Sequence, residues 1–322
     1  MTGVTLRDYL ALCKWKIALF AALSAAGGFF LGRPSFGTTL PLLIAGTFLV
    51  ACGACALNQY QERGIDARMA RTAGRPLPAG RVSPGRALGF SLILIGSGTV
   101  ILYWTVLPAA ALLGVGAVLW YNGVYTWLKA RSAFAEFPGA LVGAAPPAIG
   151  WLASGGNLSD PPLIALCFFY FIWQVPHFLV HRLTFGREYE AIGHPSLTAL
   201  FSAGQLNRLT FQWLLAAAVS LQLLIVYGLI RSPLVQAALL AASFGLAMRG
   251  IPLLGGKGQS YLRFFRGINY FMLIVLALFF LDQVRHHTGQ TRPTVDSAVW
   301  SGSSPVTKPS MARPGWGAPG GR

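Results

Sequence analysis

Acid is what this chain has least of. Its 322 residues include nine Asp and Glu, and charged residues of both signs reach 11% while hydrophobic ones make up 54%. A soluble domain of that composition would lack the polar surface to cover itself, so a soluble globular fold is excluded. Cysteine is scarce as well. Cys13, Cys52, Cys55 and Cys167 all lie in or beside apolar runs, which excludes a disulfide scaffold. Cys52 and Cys55 form a CxxC but lack the second such pair or thioredoxin-like context that metal or redox chemistry needs, and they read as small residues at helix contacts. No repeat of a solenoid kind is present.

What is abundant is the apolar run long enough to cross a bilayer, roughly 20 residues or somewhat fewer. Nine recur, at 17–31, 39–57, 87–106, 108–127, 137–153, 161–180, 210–230, 233–248 and 267–281. The expected fold is all-α: a polytopic membrane protein, a bundle of nine transmembrane helices with a central cavity open to the cytoplasmic side. The first run ends in Leu-Ser-Ala-Ala-Gly like a secretory signal, but the eight runs after it favour a retained span. Residues 1–285 form the transmembrane domain. Residues 286–322, rich in Pro, Gly, Ser and Thr, are expected to be a disordered tail in which His286 and His287 are simply solvated.

The net charge of +16 invites a nucleic-acid reading, and the positions of the charges argue against it. With a cytoplasmic amino terminus, inner segments hold 18 of the 25 Lys and Arg, while the outer loops hold only Arg33 and Arg231. That is the positive-inside bias of an integral protein in a bacterial-type inner membrane, with contacts to membrane lipids and the tail on the outer side.

Against that background, Asn58 to Pro78 reads NQYQERGIDARMARTAGRPLP, with two of the nine acids and several arginines directly after a run with no charge. A carboxylate near hydrocarbon costs about 3 kcal/mol at a helix centre, so a functional site is the first reading. Asn58, Glu62 and Asp66 are four apart, a drift of only ~80° on a helix, and share one face. Two carboxylates and an amide oxygen suit Mg²⁺, which takes one or two carboxylates and completes its shell with water and substrate phosphates. Arg63, Arg68, Arg71 and Arg75 follow, and guanidinium forks grip phosphate oxygens. The bland alternative is a charge-balanced loop at a membrane edge.

Glu62, Asp66, Met69 and RTAGRPLPAGRVSP from Arg71 resemble the first motif of the UbiA-type intramembrane prenyltransferases, in the branch that makes heme O. VYTWLKARS from Val124, GAAPPAIGWLA from Gly143 and WQVPHF from Trp173 agree with that branch in order and spacing, and the resemblance spans Asp8 to Pro195. Two departures stand out. Many relatives carry aspartate where this chain has Glu62 and Gly64, and after Tyr189 the chain reads AIGHPSLTAL where the family usually continues Gly-Ile-Pro-Met.

Lys129 and Arg131, just past a span end, meet a diphosphate or serve as snorkelling anchors. Pro146 and Pro147 interrupt a span and kink it beside a pocket or a neighbouring helix. His177 and His181, four apart, are either a ligand pair or partners for backbone broken at a proline. The resemblance implies a Mg²⁺-dependent farnesyl transfer from farnesyl diphosphate to a vinyl group of heme B, and a downstream heme-modifying enzyme as a partner. It implies Asn58, Glu62, Asp66 and Glu188 as catalytic metal ligands, with Glu190 the weaker candidate for the last position. Arg71, Arg75, Lys129, Arg131 and Arg187 would bind diphosphate, and Trp173, His177 and Tyr189 the acceptor. A prenyltransferase acting on a quinone precursor or chlorophyll-like tetrapyrrole, and a lipid-phosphate or ion transporter, remain as alternatives.

Overall fold

A computed structural model describes residues 4–32, 37–255 and 260–290, with side chains to 285. Among them every regular element is helical. Beyond Gln290 the expected tail lies outside the described residues.

Eight helices are long and apolar enough to cross a membrane. A short amphipathic helix, α1 (Leu6–Cys13), ends at Lys14 in the left-handed region (φ 45°), which turns the chain into α2 (Trp15–Gly32). Then come α3 (Thr39–Asp66), α4 (Pro84–Val106) and α5 (Pro108–Lys129). Proline opens α4 and α5, where its missing N–H costs nothing.

The fifth predicted span is the one that does not form a continuous helix. It comprises α6 (Glu136–Ala140), a 3₁₀ turn (Leu141–Ala144) and α7 (Ala145–Ala153), with Pro146 and Pro147 in the first turn of the last piece. The break is packed tightly against α2. A Cβ on Gly28 would sit 2.0 Å from the Pro147 carbonyl oxygen, and one on Gly150 would sit 1.8 Å from that of Ala25, so only glycine permits this approach. Among the described residues eight helices are thus long and apolar enough to cross, and the expected fifth span is broken.

The second half holds α8 (Pro161–Ala191), a short α9 (Leu197–Leu200), α10 (Ala203–Val226), α11 (Pro233–Gly250) and α12 (Tyr261–Gln290). One core, centred on Phe169, Tyr170 and Trp173 of α8, is shared with α10, α11 and α12; another joins α2 to α5 and α7. Both α3 and α8 run past the apolar stretches that predicted them, α3 by nine residues and α8 by eleven. Those extra turns carry the two polar clusters, which puts them at one end of the bundle together with α1. At the other end, about 40 Å away along α8, Asp160, Arg231 and Gln283 line a cavity of about 530 Å³. All four cysteines are free.

Candidate active site

The last turns of α3 place Asn58, Glu62 and Asp66 on one buried face, with relative exposures of 3%, 8% and 3%. Each is met by a cation from a different part of the chain. Lys14 Nζ donates to Asn58 Oδ1 at 2.9 Å, and Asn58 Nδ2 donates to Thr126 Oγ1 at 3.2 Å. Lys129 Nζ donates to Glu62 Oε1 at 2.9 Å. Arg75 Nη1 donates to Asp66 Oδ2 at 2.6 Å. Burial pulls the Lys14 ammonium below its usual pKa, as expected for a cation taken out of water.

The segment after α3 folds back on the helix end. Thr72 Oγ1 donates to the Asp66 carbonyl at 2.9 Å, and Arg81 Nη2 to that of Gly74 at 3.0 Å. This brings Arg71 beside the second cluster. Its Nε lies 3.7 Å from Glu188 Oε2, and its guanidinium lies 4.8 Å from the Phe185 ring centre. Arg71 and Glu188 therefore join α3 to α8 across 117 residues of chain.

The other predicted cations divide. Arg131 is exposed and lies over the Trp127 ring at 4.0 Å, and Arg63 turns back on Tyr60. Arg187 and Glu190 are exposed, and Glu190 accepts from Thr198 of α9. None of these four joins the ion pairs that gather Glu62, Asp66 and Glu188.

The acceptor candidates mark a wall of rings down α8. Phe185 and His181 are 4.9 Å apart, His181 and Phe265 5.9 Å, His177 and Phe265 4.7 Å, Trp173 and His177 5.3 Å, and Phe20 stacks on Trp173 at 5.7 Å. Trp173 Nε1 and His177 Nδ1 are buried without a hydrogen-bond partner. Unpaired buried donors and acceptors are costly and point to a ligand, a water or a functional strain. Tyr189 stands apart from this wall, buried beneath Lys129 and Arg182.

Sequence spacing missed Lys14, Thr126, Glu136 and Arg182. Lys14 offered one signal, a cation at the border between an amphipathic helix and the first span. Arg182 offered another, a charge at the end of an apolar run. The pairing of each with a residue 44 or 46 positions away had no signal in the sequence.

A buried set of oxygen donors, each matched to a cation, beside a row of packed aromatic rings in a helical membrane bundle, suits a protein that binds an anionic head and an apolar tail. Residues 17–275 match the UbiA prenyltransferase family, and the chain belongs to that family. It is similar to the protoheme IX farnesyltransferase of Oleidesulfovibrio alaskensis, with 36% identity over 282 residues, 87% of this chain and 97% of the relative. It also resembles that of Geobacter sulfurreducens, with 39% identity over 226 residues, 69% of this chain and 82% of the relative. Among solved structures, a digeranylgeranylglyceryl phosphate synthase has a TM-score of 0.70 at 17% identity, covering 87% of this chain and 99% of its own. A UbiA homolog from Archaeoglobus fulgidus bound to GPP and Mg²⁺ has a TM-score of 0.66 at 11% identity, covering 86% and 99%. These last two establish the shared fold.

Proposed function

We propose that this chain transfers the farnesyl group of farnesyl diphosphate to a vinyl group of heme B, giving heme O. The substrates follow the names of its relatives. The observation in the structure that carries the reading is the pairing of buried acids with cations that a Mg²⁺-diphosphate could exchange.

The donors fit magnesium: they are all oxygen, three are carboxylates, and two of those, Glu62 and Asp66, are buried. Among the described residues no three His, Cys, Asp or Glu side chains gather as a metal cage, and Mg²⁺ shared with a substrate's phosphates needs none. Magnesium, when bound, would neutralise charge building on the departing diphosphate. Asn58, Glu62, Asp66 and Glu188 would hold it.

The chain's part is an exchange of partners. With magnesium bound, Glu62 and Asp66 would hold it in place of Lys129 and Arg75. The freed cations, with Arg71, turn to the diphosphate oxygens, where they stabilise charge as the allylic C–O bond breaks. Because carboxylates and cations swap partners together, no buried charge is left unpaired at any stage, which would otherwise be costly. Arg131 and Arg187, at the exposed rim, steer the anion. The prenyl tail lies along apolar helix faces that exclude water from the allylic cation. Trp173 and His177, each with an unpaired ring nitrogen, contact the acceptor.

The cationic end of the bundle, with the amino terminus, faces the cytoplasm of a bacterial-type inner membrane; nine crossings then put the carboxyl tail outside. The heme O product calls for a downstream enzyme that modifies it further. Incubation of purified protein with heme B, farnesyl diphosphate and Mg²⁺, followed by mass measurement of the extracted heme, tests the reading. A farnesylated, hydrated heme is expected. An unchanged heme together with prenylation of a phenolic acceptor would overturn the acceptor, and no consumption of any prenyl diphosphate would overturn prenyl transfer.

A further inference from the structure

The exchange proposed above leaves two ion pairs unused, Arg81 with Asp8 and the far more buried Arg182 with Glu136. Glu136 of α6 and Arg182 of α8 form an ion pair between Arg182 Nε and Glu136 Oε1, with side chains 3% and 4% exposed. It is more deeply buried than any other ion pair among the described residues. Arg182 Nη1 and Glu136 Oε2 have no further hydrogen-bond partner. A buried pair of this kind is weak evidence for stability, because apolar side chains of similar volume often do as well. Its value therefore has to be sought in what it holds.

What it holds is Tyr189. The Arg182 guanidinium lies 4.2 Å from the centre of the Tyr189 ring, and Lys129 Nζ lies 5.3 Å from the same ring. Tyr189 is 6% exposed, and Lys129 Nζ reaches on to Glu62 Oε1 at 2.9 Å. The contacts run without a gap from α6 through α8 and α5 to α3. Within that chain the ring is attracted to a cation on either contact, and Arg182, held by Glu136, has little freedom to move.

We propose that Arg182, fixed by Glu136, is a positioning residue: it sets the Tyr189 ring on which Lys129 rests, and thereby the affinity of the site for the donor's diphosphate. This rests on the prenyl-transfer function proposed above. It also assigns the buried pair a task that a purely structural role would not predict, since substrate affinity should depend on it and folding should not.

The test is kinetic, on the full chain in detergent. Glu136→Leu with Arg182→Leu replaces the pair by apolar side chains. This double variant should melt as the wild type does, while KM for farnesyl diphosphate rises about tenfold and kcat changes little. Tyr189→Leu should raise that KM by a similar factor. Combining all three substitutions should give about tenfold again and not about a hundredfold, because residues acting through one contact chain are not additive. An unchanged KM in the double variant, or factors that multiply, would overturn the proposal.

If the double variant does not fold, Arg182→Lys keeps the charge and loses the guanidinium plane, and a normal KM in that variant overturns the proposal equally. If the wild type turns over no prenyl diphosphate, the proposed function falls. The same variants are then read by calorimetric binding of inorganic diphosphate with Mg²⁺, where a tenfold weaker Kd supports Arg182 and an unchanged or absent Kd overturns it.

Discussion

The two acidic clusters are built differently although they meet at one end of the bundle. In the first, on α3, Glu62 and Asp66 are buried and bonded at 2.9 and 2.6 Å. In the second, on α8, the Glu188 side chain is 35% exposed, its contact with Arg71 is 3.7 Å, and Glu188 Oε2 has no hydrogen bond. A short, desolvated pair holds its geometry before substrate arrives, whereas a long, half-exposed one contributes little and costs little to open. The first cluster is the prepared half of the site. The second can adapt to what the first has bound, and Arg71 on the intervening loop is the side chain that senses both.

Asp66→Asn should have the largest effect. Asparagine preserves the shape and keeps one oxygen, so the fold should hold, and the half-exposed Arg75 it faces is left in contact with water. Loss of a charge proposed to hold the metal should cost about 10³-fold or more in turnover. Rate and melting temperature measured on one preparation check this. A near-normal rate would remove Asp66 from the metal site and erase the distinction between the clusters.

Glu188→Gln should cost less, about 10–100-fold, the usual range for groups that tune a metal site without forming its rigid part. The loss should appear mainly as a higher Mg²⁺ concentration for half-maximal rate. A change of less than twofold would reduce the second cluster to a rim charge.

Acid scarcity is what made these clusters readable from the sequence. With nine Asp and Glu in 322 residues, any two near an apolar run are conspicuous, and the four-residue spacing of Asn58, Glu62 and Asp66 put them on one face. Eight of the nine expected spans were legible from hydropathy, and the interruption of the fifth from Pro146 and Pro147. Partner choice was not. Lys14, Lys129 and Arg182 find acids or amides 44, 67 and 46 residues away, and those distances are set by how the helices cross. Spacing along one helix says which way a side chain points, not which helix stands opposite. For the same reason Arg131 and Arg187 looked equal to Lys129 and Arg71 in sequence, yet each lies on the outward side of its own turn.

Gly64 sharpens the comparison in the other direction. It is exposed in the last turns of α3, and a Cβ built there meets no atom within 4 Å. Gly64→Asp should therefore fold normally, with helix propensity if anything improved. It adds an exposed carboxylate beside the buried Glu62 and Asp66, so its effect should be modest: about a two- to threefold lower Mg²⁺ concentration for half-maximal rate, as expected of a partly screened charge. A titration of rate against Mg²⁺ reads it directly. A loss of activity would mean that this turn must stay neutral for the diphosphate to approach.

The smallest effect concerns the rim of the prepared cluster. Asp8 of α1 accepts from Arg81 Nε at 2.8 Å and from Thr5 Oγ1 at 2.8 Å, and these bonds hold its pKa down to about 2. Arg81 closes the loop that carries Arg71 and Arg75, while α1 ends at the Lys14 that meets Asn58. The Asp8 contact is thus where the first cluster is tied to the amino terminus. A carboxylate with an unfolded-state pKa near 3.9 and a lower folded value adds stability above the unfolded value; that contribution fades as pH falls toward about 2. Between about pH 4 and pH 2 the wild type should therefore lose thermal stability more steeply than Asp8→Asn, and above pH 5 the difference between their melting temperatures should be small and constant. Because the Arg81 side chain that holds Asp8 is 38% exposed, the pair is partly screened and the curves should draw together in high salt. Parallel curves across the whole range would show that α1 is held by its apolar face alone, and that the order of the first cluster owes nothing to this rim.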